Sequence, residues 1–474
     1  MDYPCICCAS SSEFTCSNCT SVFYCGKSHQ KLHWPSHKND CPMLKWVRGS
    51  RVIGPGSVDQ AALLGVIPSL VVCGYLEEVA TLVQLNRRCW ADEKTWDVYK
   101  DAQRRVTGGR TRLMHAAWRG NLKRLLFYLH RGADVNAKLL KNGQTALMLA
   151  SQGGHLELVK ALCNSRGVSI DCCRSDNGST ALMSASENDH LEIVRELCER
   201  GASVNATRTD NGVTALILAG SNGHIEIVRE LCERGANANA ARTDTGGTAL
   251  IAASQTGHLE VVRQLCERGA DVNAARTDNG TTALIVASEA GHLAVVRELC
   301  ERGANVNGGD SAMTKGITAL IRASQRGHLE VVRELCRRGA LVNARLTQDG
   351  ATPLIVAAQA GHLEVLRELC GQRDADLNAR LTLDGSSALV LASAGGLLEV
   401  VRELCKLGAD LNLARSTDGA TALMCACQGC HLEIAQELCT RGANQTCVNH
   451  QGENAFSLAP SGKKGSAFRA FLTS

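Results

Sequence analysis

The sequence predicts a mainly α-helical solenoid of stacked helix pairs behind a small module that folds around metal, and three observations carry that expectation. A phrase beginning Thr-Ala-Leu returns about every 34 residues between Thr111 and the C-terminus. Repeats of that length are supersecondary units that bury their apolar faces only against their neighbours. Four close pairs of cysteine and histidine occupy the first 41 residues. Thirteen of the sixteen aromatic residues lie at or before Tyr128 and none lies between Tyr128 and Phe456, so two differently built regions share the chain.

Residues 1–45 come first. Their paired donors are Cys5 and Cys8, Cys16 and Cys19, Cys25 and His29, and His37 and Cys41. Each pair offers two soft or borderline donors from one turn, and four pairs complete two tetrahedral zinc sites with no open position for a catalytic water. A segment this short buries too little apolar surface to fold without such a staple. Cys7 and His33 are spare donors. A disulfide-stapled miniprotein is the alternative, and it needs an oxidising compartment that nothing at the N-terminus points to. A metalloprotease helix is disfavoured because His33 and His37 lack the glutamate of the His-Glu-x-x-His pattern.

This spacing, with the phrase YCGKSHQKLHWPSHKNDC, resembles the MYND zinc finger. The resemblance implies interleaved binding, with Cys5, Cys8, Cys25 and His29 on one zinc and Cys16, Cys19, His37 and Cys41 on the other. His29 stands where that family usually has cysteine, which changes the ligand type without removing a donor. MYND fingers bind short proline-containing peptides, which implies Gln30 and Trp34 as contact residues; packing of the small core is the other use for Trp34. Some proteins of that family are lysine methyltransferases with a SET domain, and no SET-like stretch occurs here.

Residues 51–110 read as two or three short amphipathic helices. A helical cap over the first repeat is one reading. The order Pro68, Leu70, Tyr75, Leu76, Leu82, Leu85, Arg88, Trp90 and Trp96 also resembles an F-box, which would hand substrates to a cullin-type ubiquitin ligase.

From residue 111 to 474 the repeats take over. One copy, Gly246 to Asn273, reads GGTALIAASQTGHLEVVRQLCERGADVN. Its Thr248 is placed to cap a helix, Gly257 to break it, and His258 to open a second helix on which Leu259, Val262 and Leu265 recur at helical spacing. The same cap is expected at Thr145, Thr180, Thr214, Thr282, Thr318, Thr352 and Thr421, with Ser387 as substitute, and Pro353 fills a first helical position. The segment after each pair carries turn residues and reads as a hairpin-like finger. These units resemble the ankyrin repeat, with about ten of them and a degenerate C-terminal cap. The expected fold class is therefore mainly α: an ankyrin-repeat solenoid with an N-terminal small two-zinc MYND finger.

Histidine and the cysteine of the Glu-Leu-Cys phrase recur once per unit, which argues for a repeated structural role, with cysteine packed as a small hydrophobe; a nucleophile and its base need one asymmetric pocket. Variable function belongs to the exposed positions of the first helices and to the finger tips. Gln255, Glu289, Arg322, Gln325, Arg326 and Gln359 are the candidates for partner binding. The finger arginines Arg208, Arg242, Arg276 and Arg415 are expected to pair with Asp210, Asp244, Asp278 and Asp418. A net charge of +4 without like-charge blocks, and an array free of aromatic stacking platforms, point away from nucleic acid. The start has no basic stretch ahead of an apolar one, and no apolar run is long enough to cross a bilayer, so a monomer in the cytoplasm or nucleus, neither secreted nor membrane-bound, is expected. Function is expected to be that of a scaffold between proteins rather than an enzyme, with a ubiquitin-ligase substrate receptor as the alternative.

Overall fold

A computed structural model of the chain describes residues 110–130, 133–308 and 315–459, together with two short strands nearer the N-terminus. Those strands, β1 (Phe14–Thr15) and β2 (Phe23–Tyr24), pair antiparallel with Phe14 opposite Tyr24 and Thr15 opposite Phe23. The expected zinc ligands, Gln30, Trp34, the helices of residues 51–110 and the end of the C-terminal cap lie outside the described residues.

Helices then follow in pairs: α1 (Arg112–Trp118) with α2 (Leu122–His130), α3 (Ala146–Gln152) with α4 (Leu156–Cys163), α5 (Ala181–Glu187) with α6 (Leu191–Glu199), and α7 (Ala215–Asn222) with α8 (Ile225–Glu233). Next come α9 (Ala249–Thr256) with α10 (Leu259–Glu267), α11 (Ala283–Ala290) with α12 (Leu293–Glu301), α13 (Ala319–Arg326) with α14 (Leu329–Arg337), and α15 (Pro353–Ala360) with α16 (Leu363–Cys370). Two further pairs, α17 (Ala388–Ala394) with α18 (Leu398–Lys406) and α19 (Ala422–Gln428) with α20 (Leu432–Thr440), precede the short α21 (Ala455–Leu458). Chain contacts divide into two units, Met1–Ala146 and Leu147–Ser474. Among the described residues no helix is long and apolar enough to cross a membrane.

Sequence explains each pair. Thr180, Thr214, Thr248, Thr318, Thr352, Thr421 and Ser387 accept a hydrogen bond from the backbone N–H three residues on at 3.2–3.4 Å, satisfying a donor that the helix start leaves open. Thr282 departs from that expectation: its backbone is extended like the others, but its side chain makes no cap bond. Gly257 ends α9 in the left-handed region at φ 82°, a conformation that costs an L-residue about 1–2 kcal/mol. Apolar side chains then meet inside the pair. Leu250 and Ile251 from α9 are buried, and so are Val262 and Leu265 from α10.

In the second unit, first helices of successive pairs from α5 to α19 pack more closely on one another than second helices do. The fingers are barely strands, with only isolated bridges such as Ala241 to Thr248 and Ala275 to Thr282.

Three ladders tie one pair to the next and use up most of the recurring polar residues. Asn239 donates through Nδ2 to the Gly269 carbonyl at 3.0 Å and accepts through Oδ1 from the Asp271 N–H at 2.7 Å; Asn205 and Asn273 repeat the pattern. The His292 ring packs over Gly257 and its Nε2 lies 3.2 Å from the Gln255 carbonyl, so Nε2 carries the proton and donates. His190, His224, His328, His362 and His431 reach back in the same way. On the second helices a buried glutamate sits between an arginine of the preceding pair and one of its own, as Glu298 does between Arg263 and Arg302, both at 2.9 Å. Those two guanidiniums hold the Glu298 carboxyl below the usual carboxylate range against the opposing effect of burial.

Candidate functional site

The exposed side of the first helices is where the units stop being alike. Arg322, Gln325 and Arg326 project from α13 at i, i+3 and i+4, so they share one helix face. Glu289 on α11 is the nearest carboxylate: its Oε1 accepts from Arg326 Nη2 at 2.8 Å, and its Oε2 lies 3.8 Å from Arg322 Nε. Arg322 also donates to the Gln325 side-chain oxygen at 3.0 Å. Gln359 occupies on α15 the place that Gln325 holds on α13, and both are exposed. The structure thus brings five of the six expected array residues into one neighbourhood. Gln255 stands apart on α9; it is exposed, and its main-chain oxygen is the one taken by His292.

Beside that cluster, between the α13 and α15 units, lies a cleft of about 250 Å³. Ile321, Val356, Leu346 and Leu381 give it an apolar floor, while Lys315, Arg322, Gln325 and Gln359 stand at its edge. Its volume falls below the ~300–1,000 Å³ of sites that enclose a drug-sized ligand or cofactor. Sequence reading missed Lys315, Leu346 and Leu381. Superposing the fingers by their turn glycines would have found them, because each breaks a pattern that its neighbours keep.

The finger ion pairs form largely as expected. Arg242 meets Asp244 at 2.6 Å, Arg276 meets Asp278 at 2.7 Å, and Arg415 pairs with Asp418. Arg208 is the exception. It lies 3.5 Å from Glu187 at the end of α5 in place of Asp210.

The cysteines of the Glu-Leu-Cys phrase are half-buried rather than fully enclosed. Burial still pushes their thiols up, to about 11 at Cys198, Cys266, Cys336 and Cys405 and to about 12 at Cys370, so each is a neutral thiol at neutral pH. Among the described residues no group of three or more His, Cys, Asp and Glu side chains comes together as a metal site. The cluster around Arg322 presents amide donors and acceptors and guanidiniums beside an apolar floor.

Comparison with known proteins agrees with this geometry. A family model described as ankyrin repeats, three copies, matches overlapping blocks at 113–208, 204–276, 237–310, 275–345, 308–381 and 375–449. A model of the MYND finger matches residues 5–41, the span that holds all eight expected ligands. A Rho GTPase-activating protein, gacZ, of Dictyostelium discoideum is 43% identical over 40 residues, which is 8% of this chain and 4% of that protein. So small a share relates a segment of the two chains and nothing of the relative's activity.

Proposed function

Because this chain belongs to the ankyrin-repeat family and carries a MYND finger, we propose that it is a scaffold that joins two protein partners and catalyses no reaction itself. One observation carries the reading: recurring His, Asn, Glu and Arg are consumed by contacts between neighbouring pairs, which leaves the variable exposed surface of the first helices as the part with specificity to offer. The array holds one partner at Glu289, Arg322, Gln325, Arg326 and Gln359, and the finger takes a short proline-containing segment of another at Gln30 and Trp34. In this reading the chain is a monomer of the cytoplasm or nucleus.

A MYND finger implies zinc. The donor set suits it, because six thiolates and two imidazoles are the ligands that a borderline-soft, tetrahedral ion prefers. The β1–β2 pairing adds support: Cys16 follows β1 in sequence and Cys25 follows β2, so a single antiparallel pair is flanked by a donor of each interleaved set. Cys5, Cys8, Cys25 and His29 would hold one ion and Cys16, Cys19, His37 and Cys41 the other, each serving as a structural staple. Metal analysis of the purified chain is expected to give about two zinc ions. Cys16→Ser is expected to lower that content and to abolish peptide capture by the finger while leaving the helical circular dichroism of the array intact. Zinc near zero in the wild type removes the finger from this account.

The second reading, a substrate receptor of a cullin-type ubiquitin ligase, rests on the order of apolar residues around Trp90 and Trp96. Co-precipitation of a Skp-type adaptor that is lost on Trp90→Ala would establish it, and no co-precipitation would dismiss it.

A further inference from the structure

In a stack of near-identical units, residues that recur hold the stack together, and places where several positions depart from the pattern at once have another use. Three departures converge on the cleft between α13 and α15, and a fourth adjoins it on the following unit. The first is in the fingers. Leu346 and Leu381 occupy the position that Arg276 holds, as the turn bonds show: the Leu346 N–H donates to the Ala351 carbonyl at 2.9 Å, and Leu381 to Ser386 at 2.9 Å, just as Arg276 does to Thr281 at 3.0 Å. Where Arg276 carries its partner Asp278, these fingers carry Gln348 and Leu383, the latter 70% exposed. Two successive fingers therefore lack the ion pair and carry half-buried leucines in place of the arginine.

The second departure is Arg322, which stands where α11 and α15 place Val286 and Val356. The third is Lys315. Asn279 and Asp349 at the equivalent turn position each accept the N–H two residues on, at 2.9 and 3.0 Å, which lysine cannot do, and Lys315 also sits at φ 53°, a rare conformation for a residue with a side chain. The fourth is Leu397, in place of the recurring histidine. Its side chain packs over Gly361 but has no N–H to give, so the Gln359 main-chain oxygen lacks the donor that His362 supplies to Gln325.

Charge decides what would fill such a place. Glu289 is already shared by Arg326 and Arg322, and Asp349 spends one oxygen on its own turn. Lys315 makes no ion pair with the described residues. The cleft edge therefore has cationic charge to spare above an apolar floor, and its volume suits one or two side chains.

We propose that this cleft docks a short extended peptide, which inserts an aliphatic side chain between Leu346 and Leu381 and sets a carboxylate against Lys315 and Arg322. This rests on the reading of the array as a protein-binding surface and names the partner chemistry for it.

The test uses the full chain and three fluorescent pools of short synthetic peptides: leucine followed two residues later by glutamate, the same with lysine for glutamate, and the same with serine for leucine. Wild-type chain binds the leucine–glutamate pool best, and added salt weakens that binding. The combined variant Leu346→Arg, Gln348→Asp, Leu381→Arg, Leu383→Asp restores the finger pattern that the fold already accommodates around Arg276, so it keeps its thermal midpoint and loses affinity roughly tenfold or more. Arg322→Val, matching the neighbouring units, loses the preference for glutamate over lysine. Equal binding of all three pools, or unchanged binding by the combined variant, overturns the proposal. Capture of proteins through the array separates the two levels: capture by wild type that is indifferent to the combined variant removes the cleft and keeps the scaffold, whereas no capture at all removes both.

Discussion

Glu334 is the best place to measure what couples one helix pair to the next. Its carboxylate is buried to 6% exposure and accepts from Arg338 Nε at 2.9 Å, from Arg297 Nε of the preceding pair at 3.3 Å and, more weakly, from Arg337 at 3.5 Å. The chain contains its own control, because α10 has Gln264 where α14 has Glu334. There Arg229 is left with Glu226 of its own helix at 2.8 Å, and Arg268 reaches back to Glu233 at 3.4 Å. A fully buried charge-assisted bond contributes about 1.5–3 kcal/mol, and an exposed ion pair about 0.2–1. With the carboxylate buried and its arginines half in water, each strong bond here is worth roughly 1 kcal/mol. Glu334→Ala, which also loses packing, should cost about 2–3 kcal/mol, and Glu334→Gln about 1 kcal/mol because the amide oxygen still accepts from Arg338. Gln264→Glu should stabilise by about 0.5–1 kcal/mol.

Urea unfolding followed by circular dichroism reads these as shifts of the midpoint. The sign with pH follows from Arg338, which chiefly, with Arg297, lowers the Glu334 pKa from its ordinary value. A carboxyl depressed in the folded state contributes fully above its unfolded pKa of about 4.3, and the contribution fades as pH falls through the folded value. The gap between wild type and Glu334→Gln should therefore be full at pH 7 and close in acid. Midpoints of Glu334→Gln and Gln264→Glu that both equal the wild type at pH 7 would refute the coupling.

Other expectations are simpler to read. Thr318→Ala should cost about 1 kcal/mol, since it removes the cap bond to Ile321, whereas Thr282→Ala, with no such bond, should cost less; equal losses in thermal melts would contradict the capping geometry. Gly257→Ala should cost about 2 kcal/mol or more, because an added Cβ lies 2.7 Å from the His292 ring in a left-handed backbone, and a variant with unchanged stability would refute that packing. In pulsed alkylation at pH 8 read by mass spectrometry, Cys370 and Cys405 should label more slowly than the exposed Cys173 and Cys430, with the difference abolished in urea. Raised thiol pKa values also mean stability that is intact below the unfolded thiol pKa of about 8.5 and declines as pH rises beyond it, so the array should soften in alkali.

Much of this was legible in the residues because a repeat multiplies its own signal. Threonine before Ala-Leu, glycine before histidine and apolar residues at helical spacing recur often enough that the helix pairs, their caps and their stacking follow from local chemistry. Harder to read were contacts that cross from one unit to the next. Arg208 turned to Glu187 rather than Asp210, and the histidines that open second helices spend their rings on the pair before them, because both choices depend on distances between units rather than along the chain.

By itself, then, the sequence determined the kind of building: a periodic apolar pattern can be buried only by stacking, and paired sulfur and nitrogen donors in a segment too small for a core call for metal. Tertiary structure alone decided which departures from the pattern belong together. Lys315, Arg322, Leu346, Leu381 and Gln359 come from separate turns and helices, and only the superposition of one unit on the next brings them to the rim and floor of a single cleft.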